Sequence, residues 1–187
     1  YAPQSKEDSD IFNRFQLNGI KFVQTWGGCV YHMTCRGSRR NTVDKAKNIY
    51  EDSPEWLAQN QRSTKNFIRK WGHFVKHDIF MKPIIPPKYD IGFIVKNGSM
   101  QLLEALEPWC STVYINDANG NQYTQYVEKE QPNTTIDLLE KIKPYDNEKN
   151  NEILVTIEGN IFNQQDFEYI QQLSEILANS GEIGSFA

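Results

Sequence analysis

The spacing of apolar residues changes character twice along the chain. In SKEDSDIFNRFQLNG, Ile11, Phe12 and Phe15 fall on one face of a helix. Ser5 stands where a cap is expected, with Asp8 three residues on, and Asn18-Gly19 predicts a left-handed stop. Ile20 to Trp26 reads as a strand, Gly27-Gly28 as a turn, and CVYHMT (29–34) as a second strand on which Val30, His32 and Thr34 share a face. RGSRRNTVDKAK (36–47) reads as a basic loop. Pro54 opens a second helix, with Leu57, Gln61, Phe67, Ile68 and Trp71 on a mixed face and Gly72 interrupting it. KPIIPPK (82–88) holds three prolines in seven residues and reads as a linker.

Beyond that linker, short β-branched runs alternate with helical periods. Strands are predicted at 90–95, 111–116 and 152–157, and helices at 100–107, 134–142 and 165–178. Such alternation implies a small, three-stranded, mostly parallel βαβ-type domain with right-handed crossovers. The loop DANGN (117–121) follows its second strand. The organisation expected is therefore one unit at 1–81, the linker at 82–88, and an α/β domain at 89–187.

Composition refines this picture. The chain has 187 residues, of which 39% are hydrophobic and 12% aromatic, which is enough for a packed core. The longest apolar runs, such as Ile91 to Val95, are too short to span a bilayer, and no signal peptide is visible. The first residue, Tyr1, arrives inside a motif, so an N-terminal part of the protein is expected to be missing. Cys29, Cys35 and Cys110 form no CxxC pair; incidental thiols and a cytoplasmic location fit that usage. Charge is unevenly divided. Residues 1–88 carry 15 Lys+Arg against 8 Asp+Glu, a balance of +7, and residues 89–187 carry 5 against 16, a balance of −11. The basic part suits a phosphate-bearing ligand, and the acidic part does not.

Three groups could carry chemistry. Glu7, Asp8 and Asp10 crowd a helix start, where the dipole and unpaired backbone N–H groups favour carboxylates and keep them ionised, as a general base requires. His32 lies near the end of its strand, ahead of several arginines, where a neutral imidazole could take a divalent metal and the arginines could take phosphates. His73 and His77 have helical spacing but lack the glutamate of a zinc-protease motif, so packing or surface roles are expected. Lys-Arg runs such as Arg69-Lys70 read as solvated faces.

Taken in order, these features resemble the second half of a GT-A fold, family 2-like glycosyltransferase. PQSKEDSDIFNRFQLNG resembles that family's xED motif and helix, KFVQTWGGCVYHMTCRGSR the strand pair ending in a His and a Gly/Ser/Arg loop, and NFIRKWG its Phe-x-x-Lys-Trp-Gly ending. The resemblance covers roughly the first two-fifths of the chain. It implies an α/β fold in which a partial GT-A (nucleotide-diphospho-sugar transferase) acceptor-side half precedes the small α/β domain. It further implies Asp8 as general base, Glu7 positioning the acceptor, and His32 as ligand of a divalent metal, Mn²⁺ or Mg²⁺. Arg36, Arg39 and Arg40 follow, by position and charge, as candidates for the donor diphosphate. The implied partners are a nucleotide sugar, a glycan or other hydroxyl acceptor, and a missing nucleotide-binding half; no specific nucleic acid is expected. No DxD precedes Asp8 in these residues, and QxxRW is absent, which favours a simple transferase over a processive synthase. The competing expectation is a basic, aromatic module for a polyanion such as RNA, using Trp26, Tyr31, Trp56, Phe67 and Trp71, with an acidic docking domain.

Overall fold

A computed structural model describes residues 5–23, 25, 27–28, 40–44, 49–116 and 122–180. The chain is α/β and divides into two compact units, 1–65 with 75–84 and 66–74 with 85–187.

The first unit contains helix α1 (Glu7–Leu17) and an antiparallel pair, β1 (Arg40–Asp44) and β2 (Ile49–Asp52). It also contains the first part of helix α2 (Pro54–Trp71), whose start is capped by Ser53 Oγ accepting from Trp56 N at 3.2 Å. As expected from Asn18-Gly19, α1 closes with a left-handed turn. Gly19 takes φ +70, Ile20 N donates to Phe15 O at 3.0 Å and Gly19 N to Gln16 O at 3.1 Å. Two expectations differ. Residues 20–23 and 25 are not a strand, because Ile20 completes the helix stop and Phe22 turns back onto Phe12 and Phe15. The stretch read as a basic loop instead contributes β1, and Thr42 pairs in register with Tyr50 of β2.

The second unit is built on a parallel sheet of β3 (Ile91–Lys96), β4 (Thr112–Ile115), β5 (Ile142–Pro144) and β6 (Ile153–Glu158), in the order β5-β4-β3-β6. The sheet has four strands where three were expected. Thr134 to Ile142 was predicted as one helix, but Asp137 caps the short helix α5 (Leu138–Lys141), and the chain then extends at once into β5. Helices α3 (Met100–Leu106) and α4 (Gln122–Glu130) lie between the strands, and α6 (Gln164–Ser180) follows β6.

Strand register sorts the sheet into two faces. Phe93 pairs with Val113 and Val155, and Val95 with Ile115 and Ile157. That face meets Leu103, Leu106, Trp109, Tyr126, Leu138 and Ile170 in one apolar core. The opposite face, which includes Gly92, Thr112 and Tyr114, is crossed by the connection at 145–152. There Asn151 accepts from Tyr114 OH at 2.8 Å and donates to Asp90 Oδ1 at 2.7 Å. Gly92 makes this crossing possible, because a Cβ at that position would stand 2.4 Å from Asn151 Oδ1.

A buried charge network ties the second part of α2 to this unit. Arg69 Nε and Nη2 fork onto Glu107, at 3.0 Å and 2.6 Å to Oε2, and Nη2 also reaches Glu130 Oε1 at 2.8 Å. Lys141 Nζ approaches Glu107 Oε1 at 2.7 Å, and Tyr126 OH donates to Oε2 at 2.9 Å. Arg69 Nη1 donates to Asn66 Oδ1, whose amide in turn donates to Asn133 O. Two cations meet two anions, so the cluster is neutral overall. Burial pushes the Glu107 carboxyl up, but Lys141 and Arg69 outweigh that and hold it at about 2. Burial works against the Arg69 charge, yet Glu107 and Glu130 raise its pKa above the ordinary value. Arg69 is therefore not on a solvated face, as its neighbour Lys70 made it look.

Glu107→Gln, which leaves Arg69 and Lys141 facing a neutral group, is expected to destabilise the protein by about 3–5 kcal/mol, read from urea unfolding. The depressed Glu107 pKa also sets a direction for pH. Its stabilisation is complete above the unfolded carboxyl value of 4.5 and is lost as pH falls towards about 2. The wild-type melting temperature should fall across that window, and the Gln variant should fall less.

Candidate functional site

The strongest local irregularity precedes α1. Ser5 and Lys6 are both left-handed, at φ 68 and 76, without being glycine. Each costs on the order of 1 kcal/mol, and such strain concentrates at functional sites. Ser5 does not cap the helix as its spacing predicts. Its hydroxyl instead donates to Asn60 Oδ1 on α2 at 2.9 Å, and Lys6 occupies the cap position without a side-chain cap bond.

The three carboxylates of the first turn then separate by environment. Asp10 is 6% exposed and pairs with Arg14 Nη2 at 2.7 Å. Glu7 and Asp8 are exposed. They are adjacent on the first turn of α1. Asp8 and Glu7 can thus meet a ligand from solvent, and Asp10 serves the helix.

Helix α1 also buries the wrong side for an ordinary amphipathic helix. Asp10 and Asn13 are its buried residues, while Ile11, Phe12 and Phe15 are 47%, 46% and 36% exposed. Phe12 and Phe15 share Phe22, at ring-centroid distances of 5.5 Å and 6.4 Å. Asn13 Nδ2 is buried without a hydrogen-bond partner. Buried amides are normally satisfied, so this one marks a tension between packing and polarity.

Of the remaining predicted site residues, Arg40 begins β1, with its Cα in register with Asp52. His32, Arg36 and Arg39, like Cys29, Cys35 and the loop at 117–121, lie outside the described residues. Among the described residues, no group of three or more His, Cys, Asp and Glu is placed to hold a metal ion. His73 is buried and packs edge-on to Phe67, whereas His77 is exposed, in keeping with packing and surface roles.

The second unit offers two further places that sequence reasoning missed. In the order β5-β4-β3-β6, the strand order reverses between β3 and β6, the position where open α/β sheets commonly bind ligands. Here the two loops at the strand ends bond to each other. Asn97 Nδ2 donates to Glu158 Oε1 at 2.6 Å, and Gly159 N to Lys96 O at 2.8 Å. Beside the edge strand β6 lies an open groove of about 310 Å³, lined by residues including Val155, Ile157, Phe162, Asp166 and Tyr169. Its Asp166 carboxylate already accepts from Asn163 N in the cap of α6. The network around Glu107 and Cys110 has strongly shifted groups, the Cys110 thiol being pushed up by burial to about 12. Both residues are enclosed by the core, so they hold structure and do not meet solvent.

Asn13→Leu replaces the unpartnered amide with an apolar group of similar size. It is expected to stabilise the protein by about 1 kcal/mol, measured by thermal melting.

Comparison of the chain with protein-family models, with curated proteins and with solved structures finds no match.

Proposed function

We propose that the chain is the acceptor-side part of a glycosyltransferase, with Asp8 as general base. One observation carries this reading. Of three clustered carboxylates, Asp8 and Glu7 are exposed at a strained helix start while Asp10 is enclosed and paired. That division matches the roles the family resemblance implies. Asp8 would accept the proton of an attacking hydroxyl, and Glu7 beside it would hold that hydroxyl in line. The Ser5–Asn60 bond would fix the approach to the helix start. The exposed apolar side of α1, formed by Ile11, Phe12 and Phe15, would pack against a nucleotide-binding half.

His32 as a metal ligand and Arg36, Arg39 and Arg40 as diphosphate contacts rest on the resemblance and on position. A divalent metal, when bound, offsets charge on a departing diphosphate. The alternative of a polyanion-binding surface loses one of its aromatic residues, because Phe67 is 1% exposed and cannot stack on a base.

The test is transfer from a panel of UDP- and GDP-sugars to hydroxyl acceptors by the full-length protein. Asp8→Asn should lower kcat by about 10²–10⁴-fold, with the melting temperature and donor KM unchanged. Glu7→Gln should act mainly on acceptor KM, and Asp10→Asn mainly on stability. Transfer undiminished in Asp8→Asn would remove Asp8 as the base. Salt-sensitive RNA binding with no transfer from any donor would support the polyanion reading instead.

A further inference from the structure

Strand β6 has β3 on one flank and, among the described residues, no strand on the other. Its bonds to β3 show which of its backbone groups remain. Ile153 N donates to Asp90 O at 3.0 Å and Gly159 N to Lys96 O at 2.8 Å, so the odd-numbered residues of β6 direct their backbone groups to β3. Successive residues of a strand direct them to opposite sides. The N–H and C=O groups of Leu154 and Thr156, with the N–H of Glu158, therefore face the open edge; Glu158 O is taken by Ile161 N and Phe162 N. Natural edges are blunted by lysine, proline or a bulge. The β6 sequence, ILVTIE, holds neither residue, and its register with β3 is unbroken.

The groove of about 310 Å³ lies along this same edge, formed by β6, the turn after it and α6. Val155, Ile157, Phe162 and Ile170 give it apolar walls. Ile161 and Tyr169, which also line it, are 75% and 57% exposed. A row of unpaired backbone groups beside an apolar groove is the geometry of strand addition. An extended chain bonds the edge and places alternate side chains in the groove.

Charge selects the occupant. Residues 150–180 carry Glu152, Glu158, Asp166, Glu168 and Glu175 and no Lys, Arg or His. The Glu158 carboxylate accepts from Asn97 Nδ2 and that of Asp166 from Asn163 N, both neutral donors. Lys96, in register with Glu158, lies on β3, away from the open edge, and makes no ion pair with it. Leu154, Thr156 and Glu158 share the face opposite Val155 and Ile157, and Glu152, just before the strand, has the same parity. A second copy of β6 would bring the same carboxylates to the edge, from a part of the chain with a balance of −11. Cationic side chains opposite these acids are favoured instead.

We propose that β6 takes up a basic, extended peptide by strand addition. Its alternate apolar side chains enter the groove beside α6, and the Lys or Arg residues between them face Glu152 and Glu158. This inference does not depend on the glycosyltransferase reading.

The test uses the whole protein and a fluorescent peptide of alternating lysine and valine, long enough to run the length of β6. Amide exchange in the free protein should be faster at 154, 156 and 158 than at 153, 155 and 157, and the peptide should slow it about tenfold or more at 154 and 156. Anisotropy should show binding that weakens with salt, and a peptide with glutamate for lysine should bind about tenfold more weakly or worse. Thr156→Pro removes an edge N–H and spares the bonds to β3, so it should weaken binding about tenfold or more with the melting temperature nearly unchanged. Glu152→Gln with Glu158→Gln should weaken binding about threefold and flatten its salt dependence. A control independent of the folding of any variant is N-methylation of the peptide. Methyl groups on one alternate set of amides should abolish binding, and on the other set should leave it intact. No binding of the lysine peptide at low salt overturns the proposal, and so does binding that both methylated sets retain. Self-association lost in Thr156→Pro, without peptide binding, would overturn it and assign the edge to a second copy of the chain.

Discussion

The Glu107 carboxylate has no exposed surface and sits between two cations. A buried carboxylate that lost either cation would be far more costly than one never buried, so the elements supplying those cations must stay in place. Arg69 comes from α2, Glu107 from the turn after α3, Glu130 and Tyr126 from α4, and Lys141 from the end of α5. Four segments distant in sequence are thus fixed to one point beside the sheet. Arginine suits this position better than lysine would, because its planar fork satisfies Glu107, Glu130 and Asn66 at once. The last turn of α2 is held further by Lys88 Nζ, which donates to the carbonyls of Arg69 at 2.7 Å and Lys70 at 3.0 Å. Helix α2 consequently starts in one unit and ends in the other.

Among the described residues, the two units bury different chemistry. The second has an apolar core under one sheet face, with its polar network at the helix joints. In the first, the residues α1 encloses are Asp10 and Asn13, and its apolar residues lie outward. A unit that buries polar groups and exposes aromatic ones gains little from the hydrophobic effect by itself. Such an arrangement is tolerated where the exposed side has a further surface to meet, or where a site requires particular groups at a fixed angle. The left-handed Ser5 and Lys6 immediately before Glu7 and Asp8 favour the second cause as well as the first.

Much of the second unit was legible because its strands are short β-branched runs bounded by caps. Ile91–Lys96, Thr112–Ile115 and Ile153–Glu158 each fall within a residue or two of the predicted span, as does α6. The missing strand, β5, has three residues and follows a four-residue helix without a break, so no period is long enough to register. Helix α4, QYTQYVEKE, was missed because, among its described residues, Tyr126 and Val127 are the fully buried apolar ones and the third buried residue, Glu130, is charged. Arg69 was misread because local sequence gives no sign of a carboxylate 38 positions away. The candidate site was legible as a cluster of carboxylates. The separation of Asp10 from Asp8 depended on Arg14 one turn on, a spacing present in the sequence that gains meaning once Asp10 is seen to be buried.

The two outward apolar surfaces of the first unit differ in how they are made, and this separates their consequences. The side of α1 is a helix flank with aromatic residues that already pack on Phe22, and it continues a fold. The tip at 79–81 does not continue a fold, because its backbone is closed on itself by Asp78. A flank of that kind has the geometry that helix and sheet layers pack against, whereas a closed tip offers only its few side chains.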